Sequence, residues 1–217
     1  MTSALAPTGA PDPADFEPGA LLEGRYRVDR RLALGGSSLV HAATDVRLGR
    51  PVALKIALTI EGGPQLEREG ALLATLAHPR VVRLLDVVPG NRPVLVLEEG
   101  GVCLEQLRRS NGPAPDDLLS RWATDLDDAL RYLHGCGVLH LDVTPANVLV
   151  GADGHARLID FGSARAIEDP HQPLTEGTPR FMAPALRRGE PPSMQADLHA
   201  LNATLACMSG CSAPPEV

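Results

Sequence analysis

Two kinds of apolar pattern divide this chain, and they come in a fixed order. Short β-rich runs separated by turn residues occupy roughly the first hundred positions; the one long helical stripe follows them. Leu21 to Val28, Leu32 to Ala43 with a turn at Gly35-Gly36-Ser37-Ser38, Pro51 to Ile56, Val81 to Val88 and Val94 to Leu97 read as strands. Within this part, Leu66, Leu73 and Leu76 share a helical face with Glu69, so Gln65 to Ala77 reads as one amphipathic helix, broken by His78-Pro79. From about Pro115 to His134, Leu118, Leu119, Trp122, Leu126, Leu130 and Leu133 fall on one stripe. Strands first and helices after, rather than strict alternation, predict an α+β fold. Its parts are a small antiparallel β lobe with one helix and a larger, mainly helical lobe.

Composition marks the start, and the change from β-rich runs to the long helical stripe, across the short connector Glu98 to Val102, divides the rest. Residues 1–20 are rich in Pro, Ala, Gly and Asp without periodicity and predict a disordered lead-in. Residues 21–98 form the first lobe and 99–208 the second, closing on a helix from about Met194 to Met208; residues 209–217 are a tail. Hydrophobic content of 44% is ample for a core, but aromatics are only 3%, so aliphatic side chains must do the packing. A net charge of −7 argues against a nucleic-acid partner, since phosphate backbones select basic surfaces. No apolar run reaches the length of a membrane span and no signal pattern opens the chain, which predicts a cytoplasmic protein without a membrane partner. Cys103, Cys136, Cys207 and Cys211 show no metal-type spacing and read as reduced thiols.

Of twenty Lys and Arg residues, nineteen are arginine; the single lysine is Lys55, in Pro51-Val52-Ala53-Leu54-Lys55-Ile56. Chance can place one lysine anywhere. Lysine and arginine nevertheless differ where a compact ammonium must fit a tight site. A phosphate-contacting lysine on a strand is the functional alternative.

The second half supplies more. His140-Leu141-Asp142-Val143-Thr144-Pro145-Ala146-Asn147 places an Asp and an Asn five apart; Asp160-Phe161-Gly162 follows the turn Gly151-Ala152-Asp153-Gly154; then comes Gly177-Thr178-Pro179-Arg180-Phe181-Met182-Ala183-Pro184. Together with Lys55, these motifs, in this order, resemble the eukaryotic-type Ser/Thr protein kinases, particularly the bacterial members, over roughly residues 22–206. The resemblance implies a bilobal kinase-like fold, ATP and Mg²⁺ as cofactors and a protein substrate. It nominates Glu69 as the partner of Lys55, and Val40, Ala53 and Leu149 as the apolar residues around adenine. Leu97 falls at the back of that pocket, and the backbone of Glu98 and Gly100 on the adenine edge. Asp142 becomes the residue that takes or orients the substrate hydroxyl proton, and Asn147 and Asp160 the oxygen ligands of Mg²⁺. His140 is implied to pack with Leu73, Leu84 and Phe161, and Asp197 to brace the catalytic loop.

Departures from the family pattern bear on activity. In the glycine-rich loop only Gly35 is retained, with Ala33 and Ser38 at the other two positions. Leu141 stands where the family has an arginine and Thr144 where it has a lysine that steadies the transferring phosphoryl group; the Thr144 hydroxyl is a partial substitute if it bonds a phosphate oxygen or Thr178. Ala185 replaces the glutamate after Ala183-Pro184, and the helices that would follow Met208 are absent from the chain. The large lobe therefore reads as truncated, with Leu198, Leu201, Leu205 and Met208 as a stripe that leaves the chain either marginally stable or covered by a second copy or another protein. The sequence points to an ATP-dependent protein Ser/Thr kinase of reduced activity. A nucleotide-binding pseudokinase or scaffold is the alternative, and Thr175-Glu176-Gly177-Thr178-Pro179 disfavours a small-molecule phosphotransferase.

Overall fold

The computed structural model describes residues 16–90, 92–168 and 177–210. They form two compact units: one takes the chain up to Leu76 together with Arg83–Glu99, the other Ala77–Val82 and the chain from Gly100 onward.

In the first unit, β1 (Leu21–Leu22), β2 (Tyr26–Leu34), β3 (Ser38–Asp45), β4 (Arg50–Ala57), β5 (Leu84–Val88) and β6 (Val94–Glu98) make one antiparallel sheet in the order β1-β2-β3-β4-β6-β5. Side chains alternate across a pleated strand, so β4 divides its residues between two faces. Val52, Leu54 and Ile56 join Tyr26, Val28, Ala43, Val94 and Val96 in an aliphatic core. Lys55 lies on the opposite face, beside its register partners Val40 and Leu95; Ala53, paired with Leu97, shares that face. Helix α1 (Gly63–Leu73) covers it, with Leu66, Glu69, Gly70 and Leu73 buried. The approach is close: a Cβ on Gly70 would stand 2.6 Å from Leu95 Cδ2. The helix stops at Leu73, short of the expected Ala77, and Thr75 and Leu76 follow in turn-type hydrogen bonds to Leu72 and Leu73.

The core also reaches back into the segment expected to be disordered. Phe16 is 5% exposed, Gly19 N–H donates to Val28 C=O and Val28 N–H to Ala20 C=O. One buried aromatic outweighs the local composition, so packing starts at Phe16; residues 1–15 lie outside the described residues.

The second unit contains β7 (Val102–Cys103), α2 (Leu104–Asn111), α3 (Asp116–Gly135), β8 (Val138–Leu139), a 3-10 turn (Pro145–Asn147), β9 (Val148–Val150), β10 (Ala156–Leu158), β11 (Arg165–Ala166), α4 (Pro184–Arg187) and α5 (Met194–Met208). β10, β9 and β7 pair in that order, and β11 pairs with β8. The run Val81–Val88, read as one strand, is split. Val81 bridges Leu158, Val82 N–H donates to Leu158 C=O, His78 stacks on Tyr132 at 4.7 Å, and Arg80 pairs with Asp125 at 2.9 Å. These bonds assign Ala77–Val82 to the second unit.

Helix α3 buries Trp122, Leu126, Leu130 and Leu133 as its stripe requires, and also Asp125. On α5 the exposed-stripe expectation fails in part. Leu201 and Met208 are buried within the chain, and of the four only Leu198 is exposed. Met208 C=O moreover accepts from Ala114 N–H. The surface that a covering partner would need has largely closed on the chain's own residues. Among the described residues no helix is long and apolar enough to cross a membrane, and Cys103, Cys136 and Cys207 are free thiols; Cys211 and the rest of the tail lie outside them.

Candidate active site

Among the described residues of the first unit, Lys55 and Glu69 form a buried charge pair. Lys55 Nζ donates to both carboxylate oxygens of Glu69 at 2.7 Å, and the two side chains are 6% and 3% exposed. β4 delivers the ammonium and the buried face of α1 delivers the carboxylate. Val40, Ala53 and Leu97 surround Lys55 on the same sheet face, as the cross-strand register dictates. Gly35 occupies the β2–β3 turn, its N–H donating to Ser38 C=O at 2.8 Å. Glu98 N–H donates to Arg83 C=O at 2.9 Å, so a ligand can engage Glu98 only through its carbonyl or side chain.

The second unit holds a loop built around Asp142. Asp142 Oδ2 accepts from Asn147 Nδ2 at 2.6 Å, and Oδ1 accepts from Thr178 N–H and Thr178 Oγ1 at 3.1 and 3.0 Å. Three donors fix the carboxylate's orientation. Asn147 C=O accepts from Ile159 N–H at 3.0 Å, which ties the start of β9 to the residue before Asp160. Asp160 itself adopts φ +63° and accepts from Gly162 N–H. Leu149 sits on β9 opposite Cys103, and a Cβ on Gly100 would stand 3.7 Å from its Cδ1. Gly101 has φ +114°, and a Cβ there would lie 2.0 Å from Val150 C=O, so only glycine fits this connector.

The loop carries backbone strain and a device that holds it. Leu141 has φ +64°, which for a bulky side chain costs about 1–3 kcal/mol. Asp197, fully buried on α5, accepts from His140 N–H (3.0 Å) and Leu141 N–H (2.7 Å), and its Oδ2 lies 2.8 Å from His134 Nε2. His140 packs edge-on to Phe161 at 4.8 Å; one tautomer serves both its contacts, Nε2–H donating to Ile159 C=O and Nδ1 accepting from Asp142 N–H. The Leu141 side chain is buried with Leu139, Ala183, Leu186 and Ala196.

The protein kinase domain family matches residues 26–215 of this chain. The chain belongs to the protein kinase family. Among curated relatives, the DNA damage-responsive serine/threonine-protein kinase RqkA of Deinococcus radiodurans is 36% identical over 92% of this chain and 32% of its own length. The serine/threonine-protein kinase PknB of Mycobacterium tuberculosis is 32% identical over 85% of this chain and 32% of its own, and the probable serine/threonine-protein kinase CE0033 of Corynebacterium efficiens 30% over 83% and 30%. The chain spans about a third of the length of the curated relatives it matches.

For a protein kinase, two supporting residues here went unread in the sequence. Asp125 accepts from Ala156 N–H (2.9 Å), contacts His155 Nδ1 and pairs with Arg80, so it pins β10 to α3. A carboxylate on the inward stripe beside Leu126 was the available signal. Thr204 Oγ1 donates to Val143 C=O at 2.9 Å and steadies the loop from α5; a lone threonine on a helix gives no such signal. Thr144 is buried but forms no hydrogen bond with Thr178, whose hydroxyl is committed to Asp142; the expected Thr144–Thr178 substitute is absent. Thr175 lies outside the described residues.

Proposed function

We propose that this chain is the catalytic part of a protein serine/threonine kinase that moves the γ-phosphate of ATP to a protein hydroxyl, with slowed chemistry. The observation that carries the reading is the Asp142 carboxylate, fixed by Thr178 and Asn147 through neutral donors. In the proposed step the substrate oxygen forms a bond to the γ-phosphorus while the bond to the bridging oxygen of ADP breaks, and the hydroxyl proton passes to Asp142.

The first unit serves binding in this reading. Lys55, held by Glu69, meets the phosphates; Val40, Ala53 and Leu97 line the adenine side, and Gly35 covers the phosphates through its backbone. The Glu98 backbone belongs to the same unit; on the second unit Leu149 and the Gly100 backbone are assigned to adenine from the family resemblance. Among the described residues no cluster of three or more His, Cys, Asp or Glu side chains is arranged for a metal. The donors that remain, the Asn147 amide oxygen and the Asp160 carboxylate, are hard oxygens, few in number, which suits Mg²⁺ that keeps waters and phosphate oxygens as its other ligands. Mg²⁺ bound there would neutralise charge on the phosphates. Asn147 holds its orientation through Asp142, and Asp160 through Gly162 N–H.

Leu141 and Thr144 remove two cations from around the transferring group, which supports slowed transfer. Loss of one preorganised donor costs on the order of 10²–10³ in rate. The same absence favours the second reading, a nucleotide-binding module without turnover. Single-turnover transfer of γ-³²P to a generic protein substrate decides between them. The wild-type chain should transfer, and Asp142→Asn should be slower by about 10²–10⁴, the usual worth of a general base. Mg-ATP should raise the melting temperature of both proteins. A temperature shift without any transfer would establish the module and reject the kinase; no shift at millimolar Mg-ATP would reject both.

A further inference from the structure

Beside the Asp142 loop, within the second unit, lies a cavity of about 370 Å³, at the small end of ligand sites. Thr144 from the loop and Thr178, the residue bonded to Asp142, form one side; Arg108, Arg109, Arg180 and Cys207 stand among the others. Among the described residues the one acidic side chain on the wall is Glu105, and it is already taken: Arg109 Nη2 donates to it at 2.8 Å. Arg108 and Arg180 therefore remain as uncompensated guanidiniums. Arg180 lies over the Phe181 ring at 5.7 Å, and among the described residues neither arginine has an acidic partner. Arg108 Nη1 is buried and has no hydrogen-bond partner among the described residues.

A buried donor without an acceptor is costly, and a cation in a partly enclosed site more so. In a chain of net charge −7 such a spot is local, not a reflection of bulk composition. Guanidinium groups present a planar fork that matches carboxylate or phosphate oxygens. Apolar or basic side chains in the cavity would leave Arg108 unsatisfied; an anionic one would complete it.

We infer that this cavity is a specificity site for acidic peptides, in which Arg108 and Arg180 bind a carboxylate, or the chemically similar phosphate of a phosphorylated side chain, a few residues from the acceptor hydroxyl. Calling that peptide a substrate rests on the kinase reading, but the recognition can be measured without turnover. Fluorescein-labelled peptides with one serine flanked by glutamate, glutamine, arginine or phosphoserine would be titrated without ATP, at low and at high salt, and followed by anisotropy. The glutamate peptide should bind about tenfold tighter than the glutamine peptide, the worth of one charge-assisted hydrogen bond, and the arginine peptide weakest. High salt should narrow the spread. Arg108→Gln with Arg180→Gln should erase the preference, while Arg131→Gln, at an exposed pair on α3, should leave it intact. Arg180→Gln alone, on an exposed side chain, serves if the double variant does not fold. The phosphoserine peptide separates the two anion sources: tighter binding than glutamate assigns the site to phosphate, weaker to carboxylate, and both uphold it.

Equal binding of all peptides, no binding of the acidic one at millimolar concentration, or a preference that survives the arginine substitutions would overturn the inference. Phosphoryl transfer without charge preference would reject it and leave the kinase reading standing. Preference without transfer would do the reverse.

Discussion

The Lys55–Glu69 pair and the Asp142 loop treat charge in opposite ways. In the first unit a buried ammonium meets a buried carboxylate through both oxygens, and charge is answered by charge. In the second, the Asp142 carboxylate is answered by neutral donors, a backbone N–H, a hydroxyl and an amide. The residues on either side of it in the loop, Leu141 and Thr144, carry no charge. The loop's shape does not suffer: Asp197 holds the strained Leu141 backbone, and the Leu141 side chain packs on Ala183 and Leu186. Geometry and electrostatics are thus separable in this molecule. The orientation of the Asp142 carboxylate is kept by hydrogen bonds and apolar packing, and in the proposed reaction Leu141 and Thr144 would offer the transferring group no charge.

The largest effect should come from breaking the pair that is charge-compensated. Glu69→Ala strips a buried ammonium of its bidentate carboxylate, and removing one member of such a pair costs about 3–5 kcal/mol. For a domain of this size that is a fall in melting temperature of roughly 10 °C. Lys55→Met combined with Glu69→Ala should recover much of it, since both charges then leave together. Thermal unfolding of the three variants measures this directly. A loss below about 1 kcal/mol for Glu69→Ala would mean that the ammonium finds other compensation, and the contrast between the two regions would shrink.

Restoring charge on the other side should act mainly on rate, with some loss of stability because Thr144 is buried. Thr144→Lys places an ammonium on the wall of the cavity next to Asp142. If missing charge limits the chemistry, single-turnover transfer should rise by roughly tenfold to a hundredfold, less than the full worth of a preorganised donor because the new side chain is not preorganised. An unchanged or lower rate, in a variant that still folds, would place the limitation elsewhere and undo the electrostatic half of the comparison.

Much of this contrast was legible from residue types and spacing. Lys55 was singled out as the sole lysine, and the helical phase of Glu69 with Leu66 and Leu73 placed its carboxylate on the buried face. Alternation along β4 puts Ala53 on the face of Lys55, whereas Val40 and Leu97 were implied by the family resemblance, and only the cross-strand register sets them there. What stayed hidden depended on contacts distant in sequence. Helix α2 escaped notice because Leu104-Glu105-Gln106-Leu107-Arg108-Arg109-Ser110-Asn111 offers only two apolar residues, of which Leu104 alone is buried. Ala77–Val82 belongs to the second unit through Leu158, Tyr132 and Asp125, none of them near in sequence. Phe16 was lost in the average of its surroundings. The arginines of the cavity come from α2 and from the segment after Gly177, and no local pattern joins them.

The smallest effect should follow from Thr175→Ala. A phosphate on the segment before Gly177 could order it only where a cation waits to receive it. The position next to Asp142 that would supply such a cation is Leu141, and its side chain is committed to a cluster with Leu139, Ala183, Leu186 and Ala196, with Ile167 and Met182 at its margin. Residues from both ends of the segment, Ile167 before it and Met182 and Ala183 after it, thereby rest on an apolar anchor that needs no modification. Thr178 is likewise positioned by Asp142 rather than by a phosphate. Transfer by Thr175→Ala should stay within a few-fold of wild type, with the same dependence on peptide charge. Arg165→Gln provides the check, because Arg165, on β11, is the nearest arginine in sequence before the segment and its Nε is buried without a hydrogen-bond partner among the described residues. A collapse of transfer in Thr175→Ala, reproduced by Arg165→Gln, would show that a phosphate clamp operates through Arg165, and the loop would then depend on added charge after all.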